Sequence, residues 1–150
     1  MSDTAHRFPV RVYYEDTDFS GVVYHANYLK FLERGRTEML RERGIDQASI
    51  FAGPDPFAFA VARMEIDFRR PACMDDVLTV ETAVMAVGGA SVALRQRLLR
   101  DTDLLVEASV RIAAVSRGRA TRLPPAVASR LRGSAPEGGP RQRGAVPDQR

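Results

Sequence analysis

Residues 27–44, N-Y-L-K-F-L-E-R-G-R-T-E-M-L-R-E-R-G, carry the longest helical period in the chain. Tyr28, Leu32, Gly35 and Met39 recur four, three and four residues apart, with Leu29 and Leu40 beside them. Lys30, Glu33, Arg34, Thr37 and Arg41 lie on the opposite side, the pattern of a helix with one apolar face. Gly44 supplies a stop just past the last turn. The spacing predicts a helix over 27–43, 17 residues long. Gly35 in its interior costs up to about 1 kcal/mol against alanine, which implies a close neighbour on the apolar face.

The flanks read as strands. Residues 8–14, F-P-V-R-V-Y-Y, are β-branched and aromatic and predict a first strand. Residues 46–57, broken by G-P-D-P, predict a brief turn of helix and a loop. Strand-like stretches follow at 58–70, 76–87, 90–101 and 103–117, and Gly88-Gly89 marks a hairpin between the second and third of these. In the last, Leu104, Val106, Ala108, Val110, Ile112 and Ala114 alternate with Leu105, Glu107, Ser109, Arg111 and Ala113, as in a half-buried antiparallel strand. Pro124-Pro125 would open a short helix over 124–132. From Gly133 onward seven of eighteen residues are Gly or Pro, so the organisation expected is one domain over 1–132 and a disordered tail over 133–150. One strand, one long helix and then four strands with hairpin-scale connections exclude a doubly wound parallel sheet. An antiparallel sheet packed on one helix satisfies both apolar faces, and its uncovered face or edge favours a dimer.

Composition sets the remaining bounds. A chain of 150 residues, 45% apolar and 27% charged, is an ordinary soluble domain with a full core. No apolar run approaches a membrane span, and the N-terminus lacks the pattern of a signal peptide. The single cysteine, Cys73, rules out an internal disulfide, fits a reducing compartment and, with no base nearby in sequence, reads as a passive thiol. The expected location is the cytoplasm. Residues 1–116 carry 14 basic and 17 acidic side chains, whereas 117–132 add five arginines and no acid. That basic segment reads as a solvated edge, or as a contact for phosphates or an anionic surface. No aromatic-interleaved basic stripe accompanies it, so nucleic acid is set aside.

Chemistry concentrates where the first strand meets the helix, in E-D-T-D-F-S-G-V-V-Y-H-A-N-Y from Glu15 to Tyr28. Such a junction aims free backbone N–H groups at nearby acids and ligands. Asp16, Asp18, Ser20 and Gly21 match the first positions of a calcium loop, but Asn27 stands where the bidentate glutamate is required and a strand precedes the loop. The strand-terminal Asp-x-Asp also suggests a phosphatase. The sole lysine, Lys30 on the polar helix face, and the missing α/β alternation argue against it.

A third reading covers most of the chain. The run Y-Y-E-D-T-D-F-S-G-V-V-Y-H-A-N-Y-L-K-F-L-E-R-G-R-T-E-M-L closely resembles the tol-pal-associated branch of the 4-hydroxybenzoyl-CoA thioesterase family, and the likeness continues through M-E-I-D-F-R-R-P-A and D-D-V-L-T-V-E-T to R-A-T-R-L-P, roughly residues 8–125. The resemblance implies a hotdog fold of class α+β, a five-stranded antiparallel sheet wrapped around one long central helix, assembled as a homodimer or homotetramer. It implies an acyl-CoA substrate, a short-chain or aromatic acyl group, and no cofactor or metal. Asp18 would be the catalytic carboxylate, ionised at neutral pH with an ordinary pKa of about 3.9 and able to attack a thioester or activate water. His25 would position substrate or shuttle a proton, and Tyr24 and Asn27 would shape the site.

Plainer roles stand beside these. Glu15 and Asp16 read as solvated or as ties for the loop. Asn27 is a good helix N-cap in its own right. Glu38 would pair with Arg34 or Arg41, and His6 lies near a frayed end. Coenzyme A brings several phosphates, which call for arginines. Where relatives often carry basic residues in the turn before the fourth strand, this chain has V-G-G-A-S, retaining only the hydroxyl of Ser91. Arg69, Arg70, Arg117 and Arg119 are the alternative phosphate partners. A hypothesis of another class is a weakly catalytic or non-catalytic binding protein for an acyl carrier protein or an envelope-lipid enzyme, with 117–132 as its contact surface.

Overall fold

The computed structural model describes residues 5–133. The chain runs β1 (His6–Arg11), α1 (His25–Glu42), α2 (Gln47–Phe51), β2 (Ala58–Phe68), β3 (Val77–Val87), β4 (Ser91–Arg100), β5 (Asp103–Ser116), β6 (Arg119–Ala120) and α3 (Pro125–Leu131). All strand pairings are antiparallel, in the order β1-β3-β4-β5-β2, with β6 pairing only the end of β5. The expected five-stranded hotdog sheet is therefore present, with a two-residue sixth strand where Gly118 turns the chain back.

The sheet curls around α1 because its alternation puts one apolar row under the helix. Val80, Val92, Leu94, Leu98, Val110 and Ile112 are buried there against Phe31, Leu32, Met39 and Leu40 of α1. Gly35 is where helix and sheet approach most closely. A Cβ there would collide with the side chain of Val80, which explains the glycine. Val127 and Leu131 of α3 close the core at one end.

Several expectations need correction. The first strand ends at Arg11 rather than residue 14, because the chain leaves the sheet into a 3-10 turn at Tyr14–Asp16. His6 is not frayed but paired opposite Thr82. Leu29, placed beside the apolar face, is exposed, and the face is completed by Phe31 and, unexpectedly, by Arg36. Arg36 Nη1 donates to Gln96 Oε1 (3.0 Å), and Gln96 Nε2 donates to the Leu32 carbonyl and to Thr82 Oγ1 (2.9 Å each). The expected 124–132 helix is α3, and the expected tail lies, Gly133 apart, outside the described residues. Among the described residues no helix is long and apolar enough to cross a membrane.

One sheet edge is open. β1 carries Pro9, which has no N–H to offer a neighbour, but β2 presents an 11-residue edge on the far side of β5, with one irregularity between Val61 and Arg63. Phe59, Val61, Met64, Ile66 and Phe68 share the helix-facing side of that strand, because their partners in β5 include the buried Ala114, Ile112, Val110, Ala108 and Val106.

Candidate active site

The loop between β1 and α1 is held by Asp16, only 4% exposed. Its Oδ2 accepts from the Tyr13 N–H (2.8 Å) and its Oδ1 from Asn27 Nδ2 (2.9 Å), while its carbonyl accepts from the Tyr24 N–H (2.9 Å). One carboxylate thus ties both ends of the loop together, the plain role read for it in the sequence. α1 starts at His25, two residues before the expected boundary. Asn27 is therefore not the N-cap but a first-turn residue that braces Asp16. Tyr24 occupies the N-cap position and offers no side-chain cap. The N–H groups of His25 and Ala26 accordingly take no hydrogen bond among the described residues.

Between these ties Thr17 bridges to Val23, and the chain turns over Asp18–Gly21. The Gly21 N–H donates to the Asp18 carbonyl and the Asp18 N–H to that of Val22 (2.9 Å each). Gly21 takes φ of +89°, open to glycine without a Cβ penalty. Asp18 stands exposed at the tip. Its Oδ1 accepts from Ser20 Oγ (2.6 Å) and the Ser20 N–H (2.9 Å), and Oδ2 has no partner among the described residues. The Ser20 hydroxyl, then its N–H, holds this carboxyl below its ordinary range, and His25 adds a weaker electrostatic pull. The result is an ionised, accessible oxygen on the loop that leads into the N-terminus of α1.

His25 joins this group from the first turn of α1. Its ring tilts against Tyr24 (4.8 Å between centroids) and meets Phe68 at the end of β2 edge-on (6.1 Å). Tyr28 also touches Phe68, and its hydroxyl accepts from the Ala72 N–H (3.0 Å); burial pushes its phenol up. The Val23 N–H donates to the Ala72 carbonyl (2.9 Å), so the 71–73 loop buttresses the site from behind. Cys73 is exposed there as a free thiol. Tyr14, Phe19, Tyr24, Phe68 and Met74 are exposed large apolar side chains of this loop and of the segments beside it.

Asp18, His25, Tyr24 and Asn27 are thus brought together, whereas the remaining candidates are not. Arg69 pairs with Glu107 (3.2 Å) and Arg70 with Asp103 (3.6 Å), both just beyond Phe68. Ser91 pairs with Ala113, which faces Ala60, at the opposite end of the sheet. At about 3.3 Å per residue it lies roughly 25 Å along the strands from the row of Phe68. Near that far end, Ile50, Phe51, Phe57 and Phe59 line an apolar groove of about 210 Å³. Arg117 and Arg119 are exposed on the β5–β6 turn. Sequence reading missed Asp16 as the keystone that couples Asn27 to the loop, and Ser20 as the partner of Asp18. The D-x-S spacing, typical of a side chain bonding two residues on, was the available signal for the second.

A sheet curled round a single helix, with a carboxylate loop at the helix N-terminus, defines a hotdog domain. The sequence profile of the thioesterase superfamily matches residues 20–107, and the chain belongs to that superfamily. It is 48% identical to the acyl-CoA thioesterase YbgC of Haemophilus influenzae over 79% of this chain and 87% of that protein. It is 44% identical to the acyl-CoA thioester hydrolase YbgC of Escherichia coli O157:H7 over 77% of this chain and 85% of that protein. The crystal structure of a probable thioesterase from Bartonella henselae superposes with a TM-score of 0.78 at 45% identity, covering 80% of this chain and 99% of that one.

Proposed function

We propose that this thioester hydrolase cleaves acyl-CoA to a free acid and coenzyme A, with Asp18 as the reacting carboxylate. The observation that carries the reading is the accessible Asp18 carboxylate, its pKa held low by Ser20, on the loop that leads into the unpaired N–H groups of His25 and Ala26. Thioester hydrolysis needs both halves of that arrangement. The free Asp18 oxygen either attacks the carbonyl carbon or takes a proton from the attacking water. The negative charge that develops on the carbonyl oxygen is met by the helix N–H groups. If Asp18 attacks, the C–S bond breaks as an acyl–Asp18 anhydride forms, and water then hydrolyses that anhydride and supplies the proton for the thiolate. If Asp18 acts as base, the proton it takes from water passes to the departing sulfur. In both routes His25 orients the thioester.

The site is completed by a second copy of the chain. Antiparallel pairing of β2 with itself lays the Phe59 end of one strand along the Phe68 end of the other. The apolar groove at the start of one β2 then adjoins the loop that carries Asp18 in the other protomer. The same operation moves the Ser91 end of one sheet toward the partner's site. This reading keeps the short-chain or aromatic acyl group and the tol-pal-associated branch, which rest on the motif, and a cytoplasmic setting, which rests on the single cysteine and the composition.

Free-thiol release from a panel of aliphatic and aromatic acyl-CoAs tests it. Turnover by the wild type that is lost in Asp18→Asn supports the assignment, and unchanged turnover in that variant removes it. Trapping an acyl group on Asp18 during turnover separates attack by the carboxylate from activation of water. No turnover on any acyl-CoA, with binding of an acidic acyl carrier protein through the exposed Arg117 and Arg119, would favour the carrier-binding reading.

A further inference from the structure

A cation lies buried under α1 without a counter-ion. Arg36 is 8% exposed, and no carboxylate comes within ion-pair distance of it among the described residues. Burial pulls its pKa down, and Glu33, one helical turn earlier, acts on it only at a distance. A guanidinium has five N–H donors, and Arg36 spends one, on Gln96 Oε1 (3.0 Å). That bond is built rather than incidental. The Leu32 carbonyl can only accept, so it fixes which end of Gln96 is the amide nitrogen and turns the oxygen toward Arg36. Leaving a buried cation so poorly matched is costly.

Arg36 also lines a cavity of about 80 Å³ between α1 and β2, together with the apolar Phe59, Val61 and Ile112 and with Glu33, whose carboxylate accepts from Thr37 Oγ1 (2.8 Å). Within one protomer this cavity is far from Asp18. Eleven residues of helix separate Arg36 from His25, about 16 Å at 1.5 Å per residue. Across the β2 pairing argued above the distance collapses. The Phe59–Val61 stretch then lies along the far end of the partner's β2, one strand spacing, about 5 Å, away. That end of the strand holds Phe68, on which His25 packs.

We infer that Arg36 is a specificity-determining residue that receives the far end of the acyl group, and that the favoured substrates are short acyl chains ending in a carboxylate. The inference deepens the thioesterase reading and rests on it. The apolar part of the lining suits the methylenes, and the unspent donors of Arg36 suit a planar two-oxygen anion. The volume admits a carboxylate and a few carbons, given about 30 Å³ for each water it would displace. Gln96 acts as the positioning residue for Arg36.

The test compares kcat/KM for glutaryl-CoA and the similarly sized, uncharged hexanoyl-CoA. Wild type is expected to favour glutaryl-CoA, and Arg36→Met to lose about 10- to 100-fold on glutaryl-CoA while hexanoyl-CoA changes less than threefold. Arg36→Lys should recover part of the loss. Equal or better use of hexanoyl-CoA by wild type overturns the inference without any variant, so a folding defect in Arg36→Met cannot shelter it. Equal losses on both substrates in a folded variant overturn it too and leave Arg36 a structural residue. Failure of wild type to cleave either substrate, or any other acyl-CoA, would strike the thioesterase reading instead.

Discussion

Asp18 can react because its two oxygens are treated differently. Ser20 occupies one and leaves the other open, and the same bonds keep the carboxyl ionised. In Ser20→Ala the hydroxyl, the largest influence, is gone, so the Asp18 pKa rises toward its ordinary value of about 3.9. Activity that needs the carboxylate is retained above the pKa and lost below it. The acidic limb of the kcat/KM–pH profile should therefore move to higher pH, with little change at neutrality. An unmoved limb would mean that Ser20 does not hold the reactive form. Asp16 makes the opposite kind of contribution, purely structural. Asp16→Ala leaves the Tyr13 N–H and Asn27 amide without their charged acceptor, at a cost of about 2–3 kcal/mol that urea unfolding would register. Of this site the sequence displayed the candidate residues openly, since D-T-D and Y-H-A-N-Y are short contiguous runs. It concealed the tie from Asp16 to Asn27, which spans eleven residues and depends on how the loop closes.

Among the elements, α1 shows where local preference yields to packing. Alanine at position 35 should favour the helix by up to about 1 kcal/mol. Its methyl group, however, meets Val80 on the strand beneath, and overpacking costs about 1–3 kcal/mol. Gly35→Ala is therefore expected to be net destabilising by about 1–2 kcal/mol in urea titration, with sites on the loop unaffected. A stabilised variant would show that the sheet can retreat from the helix. That glycine was legible because it breaks a helical preference inside a clear period. The strands were legible to within a few residues because their alternation and the Gly88-Gly89 turn are local signals. The start of α1 was not, because Asn27 is a better cap by composition than Tyr24, and only the tertiary bond to Asp16 reverses that. Arg36 and Gln96 were invisible as a pair, being sixty residues apart and each an ordinary polar residue in its own segment.

For the whole molecule the decisive feature is an edge. A strand of 11 residues with free hydrogen-bonding groups and apolar side chains toward the helix invites pairing with another copy, whereas β1 is blunted by Pro9. Ala62 is the place to test this, because the β2–β5 register skips it at an irregularity between Val61 and Arg63. Proline there removes one N–H from the open edge while taking no paired residue from the ladder with β5. Ala62→Pro should sediment as a monomer with its circular dichroism spectrum intact. If each site needs the neighbouring copy, activity on acyl-CoA should fall about 100-fold, the scale on which misplaced substrate-positioning groups act. A monomer that keeps full activity would show that one protomer holds a complete site, and would remove the route by which Arg36 reaches the acyl group. A dimer that persists with full activity would place the interface elsewhere on the sheet. The paired loss of assembly and turnover is the outcome that ties the open edge of β2 to the chemistry at Asp18.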